Sequence, residues 1–408
     1  MNFMNSSSPE ILLITRPLTP PWDEASKNLA YTIAKNITEY KFHILVGKYD
    51  STLPKHITQH LIYKGADWTG IQKTRLILSL PKILKNNPGI SIAHLLFAPT
   101  PLNTRVLGTI LKRFEVQIIQ NLACPPQNKK TNLNFADKII VYSKYTAERI
   151  NQKNVNIIPP FIDFEKFPVL SEKARSDLRK KWRIGENDKI ILFPGEYSRL
   201  NALGTLWKGY TGLISNFQFP TLPTGRQVSK KFSSSNDKIN LKLFMACRIK
   251  NKRDLVLEKK FKKLVNLSQF KDNVWFLGKI EKPEEMYQIA DLTVFPVKKM
   301  EGKFDFPFVL LESLACGTPV LTSAIGALSE IWRGEKEYGE KYVFEKEEEF
   351  VRKAGEILEG EKKKDDLSNF VKEKFSKDKI LRNYKEIYDL GNIFYSSTKK
   401  NLKSNLPL

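Results

Sequence analysis

The sequence has few cysteines and few histidines, and this scarcity excludes several classes of site. Its three cysteines, Cys124, Cys247 and Cys316, are far apart and never form a CxxC pair. This argues against a disulfide framework or a cysteine-based zinc site and favours a reducing compartment. The four histidines are not grouped with carboxylates. His56 and His60 are four residues apart but lack an HExxH pattern, so we expect a solvated pair and no metal site.

Long hydrophobic runs are also absent. No apolar run approaches the roughly 18 residues of a membrane-spanning helix. The polar start MNFMNSSSPE lacks the basic and then apolar layout of a signal peptide. We therefore expect a cytoplasmic protein. Of the 408 residues, 41% are hydrophobic and 27% charged, so general disorder is excluded and two to three domains are expected.

Acidic residues are outnumbered by basic ones. The chain has 67 Lys and Arg against 44 Asp and Glu, a net charge of +23. The excess is dispersed but denser in residues 1–160, which hold 20 basic and 9 acidic residues. A nucleic-acid-binding protein needs clustered cations with interleaved aromatics, so a dispersed excess makes that class a weaker alternative. The charge also allows attraction to phosphorylated small molecules, or peripheral binding to the anionic inner face of a membrane.

Strand patterns alternate with helix patterns along most of the chain. This alternation predicts parallel strands joined by crossover helices, the layered α/β fold class. His94 lies inside one such strand and is expected in the core. The predicted strands include ILLIT (11–15), FHILVG (42–47), SIAHLLFAP (91–99), EVQIIQNLA (115–123), KIIVYS (138–143), KIILFPG (189–195), KLFMACR (242–248), NVWFLGKI (273–280), LTVFP (292–296) and PVLTS (319–323).

Two such domains are expected, over residues 1–165 and 166–378. A C-terminal helix at 379–395 should pack back on the first domain, and the tail 396–408 should be frayed. Residues 203–238 interrupt the pattern, and their Gly, Pro, Ser and Thr content predicts an inserted surface loop that is partly disordered.

The most informative string is EGKFDFPFVLLESLACGTPVLTS, at 301–323. Pro307 fits a first helical turn, residues 308–316 read as a helix, and Gly317 suits its end. This helix follows the strand LTVFP. Its N-terminal N–H groups and positive dipole end are therefore expected at the carboxyl edge of a sheet, where a diphosphate binds.

Two carboxylates accompany this helix. Asp305 and Glu312 are seven residues apart, which on a helix is two turns, or about 10 Å along one face. Because carboxylates repel phosphate, we expect them to bind neutral hydroxyls on either side of it, as a ribose and a sugar would offer. The alternative is a helix with one solvated Glu and a capping Asp.

The string resembles the donor-site segment E-G-F-G-x-x-x-x-E-A-x-A-x-G-x-P-V of retaining GT-B glycosyltransferases of family 4. Other segments resemble that family in order and spacing: ADKIIVYSKYTAERI (136–150), VNIIPPFIDFEKF (155–167) and NVWFLGKIEKPEEMYQIADLTVFP (273–296). The resemblance implies the GT-B fold, two Rossmann-like doubly wound domains facing a central cleft. It further implies a retaining, metal-independent, hexosyltransferase-like enzyme. Its substrates would be a nucleotide-diphosphate sugar and a glycan or lipid-linked acceptor, as in cell-envelope polysaccharide biosynthesis, and it would need no cofactor.

The resemblance also suggests roles for residues of the donor site. Glu312 matches the family's second glutamate, which holds the donor ribose. Phe304 occupies the place of the first glutamate, so its contact to the donor sugar passes to the adjacent Asp305. The diphosphate would meet the start of the helix, which comprises Phe306, Pro307, Phe308 and Val309.

The family places an Arg and a Lys of the second domain against the donor diphosphate, and the Arg follows the first strand of that domain in the pattern G-R-x-x-x-x-K-G. By resemblance, two cations of this chain should stabilise the departing diphosphate. Arg199 and Arg248 follow two successive predicted strands and are the first choice, with Lys250 as the substitute. Lys208, in LWKG, is a further candidate because the family has a Lys-Gly pair after its first strand. The alternative for each of them is a solvated surface charge.

The remaining site residues bind the base and the acceptor. The base should pack on the backbone of Gly278, Lys279 and Ile280, which otherwise form a plain turn. For the acceptor, Trp22 can stack on a sugar and Asp23 or Glu24 can bind its hydroxyls, although Asp23 also suits a helix cap. Because Phe304 replaces a glutamate and the first loop lacks the family's glycines, a GT-B protein with lost or altered catalysis is the alternative function.

Overall fold

The structure is a computed structural model that describes residues 9–20, 24–128, 130–218, 240–300, 304–360 and 364–404. The chain forms two compact units. The first comprises Met1–Pro160 together with Lys377–Leu408, and the second is Phe161–Ser376. Helices and strands are numbered below in chain order.

The first unit is built on a seven-stranded parallel sheet in the order β3-β2-β1-β4-β5-β6-β7. The strands are β1 Glu10–Ile14, β2 Lys41–Val46, β3 Ile57–Leu61, β4 Ile90–Leu95, β5 Gln117–Leu122, β6 Lys138–Val141 and β7 Val155–Ile157. The helices are α1 Ala25–Asn36, α2 Gly70–Asn86, α3 Pro101–Arg113, α4 Lys144–Arg149 and, at the far end of the chain, α13 Lys377–Ser404.

The core of the first unit is a parallel sheet covered by amphipathic helices. The β1 residues Ile11–Ile14 are fully buried, which explains why this strand is continuously apolar rather than alternating. Helices α2 and α3 pack side by side on the sheet and bury Leu76, Leu80, Leu107 and Leu111 in one cluster. Each helix starts at a capping threonine, Thr69 for α2 and Thr100 for α3.

The C-terminal helix α13 packs on β4 and α1 of the first unit. Tyr384 Oη donates to Asn121 Oδ1 at 2.9 Å, and Tyr388 Oη lies 2.8 Å from Nδ1 of His94. His94 is fully buried, so its predicted place in the core is confirmed. The helix extends to Ser404, past the predicted end at 395, and residues 405–408 lie outside the described part.

The expectation of a solvated His56–His60 pair is wrong. His60 lies in β3, and its Nε2 atom is 2.9 Å from Nδ1 of the fully buried His43. His43 Nε2 in turn contacts Glu10 Oε2 at 2.8 Å. His56 Nε2 lies 2.8 Å from the carbonyl oxygen of Ala34. The sequence did not reveal β3, and without that strand the two side chains look equivalent.

The second unit is a six-stranded parallel sheet in the order β10-β9-β8-β11-β12-β13. Its strands are β8 Asp188–Phe193, β9 Asn240–Met245, β10 Val274–Phe276, β11 Leu292–Phe295, β12 Val320–Ser323 and β13 Val343–Phe344. Its helices are α5 Glu172–Lys181, α6 Leu203–Gln218, α7 Lys252–Asn266, α8 Pro283–Ile289, α9 Phe308–Ala315, α10 Lys336–Tyr342, α11 Glu347–Glu359 and α12 Lys364–Phe375.

The segment 203–238 is not wholly an inserted loop. Residues Leu203–Gln218 form α6, whose Leu206 and Tyr210 are fully buried. This helix packs on α11 at Gly209, where a Cβ atom would lie 2.3 Å from the ring of Phe350. Gly209 therefore permits close packing of the two helices. Residues 219–239 lie outside the described part of the chain.

A buried ion cluster joins α5 to the sheet of the second unit. Asp291, which precedes β11, accepts from Arg175 at 3.0 Å and from Arg179 at 3.3 Å. Its Oδ2 also accepts the backbone N–H of Ile190 at 2.7 Å. The Asp291 side chain is only 2% exposed, so the two arginines compensate a charge that water does not reach. One carboxylate thus ties α5, β8 and β11 together.

Candidate functional site

In the second unit, the order of strands reverses between β8 and β11. The chain builds outward from β8 to β9 and β10, then returns to place β11 on the other side of β8. In such sheets a crevice opens beyond the carboxyl ends of the two central strands. The residues that follow β8 and β11 therefore define the candidate site.

Helix α9 follows β11 and begins at Phe308, as the sequence predicted. Pro307 is its N-cap, with extended backbone, and its carbonyl accepts the N–H of Leu310 at 3.0 Å. The N–H groups of Phe308 and Val309 therefore start the helix, where an anion is favoured. At the other end, Gly317 has φ +73°, and a Cβ there would lie 2.7 Å from Lys364, so glycine is required.

Asp305 does not share a helical face with Glu312. It precedes α9, so the expected two-turn spacing along one helix is wrong. The residue is 5% exposed and is followed by the buried Phe306, which packs edge-on against Phe375 at 5.9 Å. Asp305 is thus held in the loop between β11 and α9, and its contact to a donor sugar stays a prediction.

Glu312 lies within α9 and faces a buried tyrosine. Tyr287 Oη, on α8, donates to Glu312 Oε2 at 2.9 Å. Burial raises the pKa of Glu312 to about 7, whereas the Tyr287 hydrogen bond and the charge of Lys166 act in the opposite direction. Glu284 adds to the increase. Near neutral pH this carboxyl group is therefore divided between its acidic and ionised forms.

The sequence prediction missed Tyr287 as a partner of Glu312. The residue is the tyrosine of the Tyr-x-x-Ala-Asp run at 287–291, in which Asp291 holds the arginines of α5. The Tyr287 carbonyl also accepts from Thr318 Oγ1 at 2.6 Å, so α8 is fixed to the segment that follows α9. The motif that signalled the family thus positions Glu312.

A second carboxylate, which sequence reasoning also missed, lies at the end of β8. Glu196 is 7% exposed and forms an ion pair with Lys250 Nζ, in the loop after β9. The backbone N–H of Lys250 donates to Asp254 Oδ2 at 3.0 Å, which fixes that loop. Glu196 directly follows Gly195, the place where the family pattern has an arginine. The Gly-Glu dipeptide at the place of the family's Gly-Arg was the sequence signal that could have identified Glu196.

The other predicted cations lie on neighbouring loops. Arg199 follows β8 and is exposed, and Arg248 follows β9 and is partly exposed. Because β8 and β9 are adjacent, both residues emerge at the same edge of the sheet. Lys208 lies instead on the exposed face of α6, with its Nζ 4.0 Å from Glu347 Oε2. Gly209 of the Lys-Gly pair belongs to the packing of α6 on α11, and the role of Lys208 toward a phosphate stays a prediction.

The predicted base-binding turn follows β10. Gly278 has φ +64°, Lys279 is exposed and Ile280 is partly buried. This turn lies two strands away from β8 along the sheet, on the side opposite β11. Its role toward a base stays a prediction.

The predicted acceptor residues are described only in part. Trp22 and Asp23 lie outside the described residues. Glu24 is the N-cap of α1, without a side-chain cap. Glu24 Oε1 forms an ion pair with Arg16 at 2.6 Å, and both side chains are more than a third exposed.

Two kinds of feature are absent from the described residues. These residues contain no group of three or more His, Cys, Asp or Glu side chains placed to hold a metal ion. Within the same residues, no helix combines the length and the apolar character that crossing a membrane requires.

Two doubly wound parallel sheets in one chain, each with its reversal between the first and fourth strands, define a protein of the GT-B fold. Solved structures of low sequence identity share this fold. A glycosyltransferase from Rickettsia africae is 14% identical with TM-score 0.65, and the match covers 94% of this chain and 99% of that one. Anabaena HepE in complex with UDP and glucose is 12% identical with TM-score 0.63, over 93% and 99% of the chains.

Residues 174–374 match the family described as glycosyl transferases group 1. This match covers most of the second unit, and together with the fold it bears out the resemblance to GT-B group 1 glycosyltransferases that was noted in the sequence. N-acetyl-alpha-D-glucosaminyl L-malate synthase of Bacillus anthracis is 24% identical over 248 residues, which is 58% of this chain. The matched region spans 54% of that enzyme, about half the length of the curated relative.

Proposed function

We propose that the protein transfers a glycosyl group from a nucleotide-diphosphate sugar to an acceptor, with retention of anomeric configuration and without a metal ion. The observation that carries the proposal is the position of Glu312, which lies on α9, the helix that follows β11 at the point of strand reversal. Its carboxylate accepts a hydrogen bond from Tyr287 on α8. A carboxylate in this crevice suits the paired hydroxyls of a ribose, and the start of the same helix suits a diphosphate.

The other site residues are assigned from this anchor. The N–H groups of Phe308 and Val309, with Arg199 and Arg248, would take the diphosphate, and Lys250 would join them. Asp305 would address the donor sugar, and the turn 278–280 would carry the base. The solved complex of HepE contains UDP and glucose, which supports a nucleotide-sugar donor for this fold.

The proposed reaction needs no protein nucleophile. The bond between the anomeric carbon and the donor phosphate breaks, and the acceptor oxygen forms a bond to the same face of that carbon. The leaving phosphate oxygen takes the acceptor proton, while the cations stabilise the charge that develops on the diphosphate. The acceptor would be a glycan or a lipid-linked sugar, bound by the first unit through Trp22, Asp23 and Glu24.

A thermal-shift screen tests the donor site. UDP-, GDP-, ADP- and dTDP-sugars are added in turn, and a ligand that binds only the folded protein must raise its Tm. We expect a rise with one nucleotide class, lost in Glu312→Ala and kept in Glu348→Ala, which removes an exposed carboxylate from α11. If no nucleotide sugar shifts the wild-type protein, the proposed donor site is wrong.

A GT-B protein with lost or altered catalysis is the second candidate. It is favoured by Phe304, where the family has a glutamate, and by Glu196, where it has an arginine. Under this candidate the protein binds a nucleotide sugar without turnover. Donor hydrolysis at a slow but measurable rate, abolished in Glu312→Ala, would refute it. A thermal shift with no hydrolysis and no transfer would support it.

Glu196 should oppose the binding of a nucleotide diphosphate. It repels phosphate and occupies Lys250, so Glu196→Gln removes a nearby negative charge and releases a cation. We expect the affinity for the nucleoside diphosphate to rise about threefold to tenfold at low salt, and this gain to shrink as salt is added. Isothermal titration at two ionic strengths measures both effects.

The matched control for this prediction is Glu356→Gln. Glu356 also pairs with a cation, with Oε1 2.8 Å from Arg352, but both residues lie on α11 rather than after β8 or β11. It should leave the affinity unchanged. Weaker binding in Glu196→Gln would show the opposite role, in which Glu196 positions Lys250 for the phosphate.

A further inference from the structure

One long stretch of the first unit carries cations and no acidic residue. From Trp68 to Phe114 the sequence contains seven Lys and Arg and no Asp or Glu. The basic residues all lie on the two helices of this stretch: Lys73, Arg75, Lys82 and Lys85 on α2, and Arg105, Lys112 and Arg113 on α3. The basic excess of the chain, dispersed on average, is therefore concentrated here.

The cations lie on the solvent-facing sides of the two helices, in rows that also contain leucines. On α2, Leu78, Lys82 and Lys85 follow one another at spacings of four and three residues, which places them on one face. On α3, Leu102 and Arg105 begin a similar line. Because the inner faces of both helices are buried against the sheet in one cluster, these lines point away from the core.

Three aliphatic side chains lie among these cations and are exposed to solvent. Ile71 is 68% exposed, Leu78 is 73% exposed and Leu102 is 73% exposed. Since both helices run back from the carboxyl edge of the parallel sheet, Ile71 and Leu102 sit in first turns at that edge. We call Ile71, Leu78, Leu102 and the seven cations the α2–α3 surface.

The cations of this surface are available to an external anion. Six of the seven are exposed and Arg75 is partly exposed. None of the seven makes an ion pair within the described residues, whereas Lys144 on α4 pairs with Glu148. Helices that combine exposed aliphatic side chains with flanking lysines and arginines suit the interface of an anionic bilayer.

We propose that the α2–α3 surface docks the first unit on a bilayer that contains anionic phospholipid. The lysines and arginines contact the headgroups, and Ile71, Leu78 and Leu102 enter the boundary with the acyl chains. The same charge would attract nucleic acid, but its bases stack on aromatic side chains, and the exposed apolar groups of this surface are aliphatic.

Co-sedimentation with vesicles tests the proposal. The full chain is mixed with phosphatidylcholine vesicles that contain about 30% phosphatidylglycerol, or none, at low and high salt. We expect binding to the anionic vesicles alone. The variant Lys82→Gln, Lys85→Gln, Arg105→Gln, Lys112→Gln should lose at least about tenfold in partition coefficient. The variant Leu78→Ser, Leu102→Ser should lose about as much, and its loss should persist when salt is raised.

Helix α7 of the second unit provides the matched control. It also has exposed apolar residues, such as Val256 at 52%, but it carries Asp254 and Glu258 among its lysines. The control variant Lys252→Gln, Lys259→Gln, Lys260→Gln, Lys263→Gln removes the same charge and should leave partition within about twofold of wild type. An equal loss in this control would show attraction by total charge and overturn the proposal.

Two other outcomes would also overturn it. One is a lack of binding to anionic vesicles at low salt. The other is random-sequence DNA competing the protein off the vesicles while the Leu78→Ser, Leu102→Ser variant binds them normally, which would assign the surface to nucleic acid. The measurement is independent of the donor site, because soluble nucleotide sugars shift the Tm whether or not vesicles bind.

Discussion

Glu312→Gln should give a protein that is more stable than wild type at pH 8 and equally stable at pH 4. The folded pKa of Glu312 is about 7, above its ordinary value of 4.5, because burial disfavours the ionised form. The stability contributed by the protonated carboxyl is fully present below pH 4.5 and is lost as pH rises through about 7. The loss amounts to about 3 kcal/mol. Glutamine does not ionise and keeps an acceptor for Tyr287, so the gap in Tm should open between pH 5 and 8.

The same substitution should remove most donor binding. Under the proposed function, ribose hydroxyls donate to the ionised carboxylate, and hydrogen bonds to a charged group contribute about 1.5–3 kcal/mol. We expect nucleotide-sugar affinity at pH 8 to fall at least about tenfold in Glu312→Gln. Wild-type affinity should decrease as pH falls below 7, whereas that of the variant should not respond. Titration calorimetry across this range measures both.

Measuring both the stability and the nucleotide-sugar affinity of Glu312→Gln distinguishes the proposed role of Glu312 from two alternatives. If Glu312 has only a structural role, Glu312→Gln gains stability and keeps its affinity. If the Tyr287 hydrogen bond stabilises the ionised carboxylate even when no nucleotide sugar is bound, Glu312→Gln is no more stable than the wild-type protein at pH 8. Glu348→Gln, on the exposed face of α11, should change neither quantity. A partly buried acidic group that costs the free protein stability, and is compensated when substrate binds, is typical of functional sites.

Asp291→Ala should destabilise the second unit more than any surface substitution. It leaves Arg175 and Arg179 without their shared carboxylate, and it removes the acceptor for the N–H of Ile190. Loss of one partner from a buried ion cluster costs about 3–5 kcal/mol, because the remaining charge is uncompensated. Urea unfolding followed by tryptophan fluorescence should show the midpoint move to lower concentration.

A neighbouring ion pair that also involves α5 is the control. Lys181 on α5 pairs with Glu285 on α8 at 2.8 Å, but the Lys181 side chain is 60% exposed. Glu285 also accepts a hydrogen bond from Trp182 Nε1 at 2.9 Å, so Glu285→Ala should cost about 1–2 kcal/mol, less than the loss of the buried cluster. Adding Arg179→Met to Asp291→Ala should recover part of the loss, because one buried charge is then gone. An equal cost for Glu285→Ala and Asp291→Ala would contradict this account of the cluster.

The strands of both sheets were predictable where burial on both faces makes them continuously apolar. The runs ILLIT and KIILFPG fall on β1 and β8. Strand β3 was not predictable in this way, because it is at the edge of its sheet and its sequence ITQHL is largely polar. Helix α5 was also missed, since it is held by arginine contacts to Asp291 rather than by an apolar stripe.

The candidate site was predictable where local sequence decides the structure. The sequence predicted that residues 308–316 form a helix after β11 that stops before Gly317. This is confirmed within one residue, since α9 ends at Ala315. The partners of the site residues were not predictable. Tyr287 and Glu312 are 25 positions apart, and Glu196 and Lys250 are 54 apart, so only the paired strands and packed helices bring them together. Asp305 was misplaced because helical spacing was extended past the start of α9.

The return of α13 to the first unit has a consequence for how the protein is made. The buried face formed by His94 and Tyr40 is completed only by Tyr384, Tyr388 and their neighbours. The ribosome must synthesise the whole second unit, Phe161–Ser376, before it reaches these tyrosines. At about 5–20 residues per second, the nascent first unit waits roughly 10–40 seconds with that face uncovered. The second unit, although later in the chain, is the first that can finish folding, and the unfinished unit is the natural client for a chaperone during that interval.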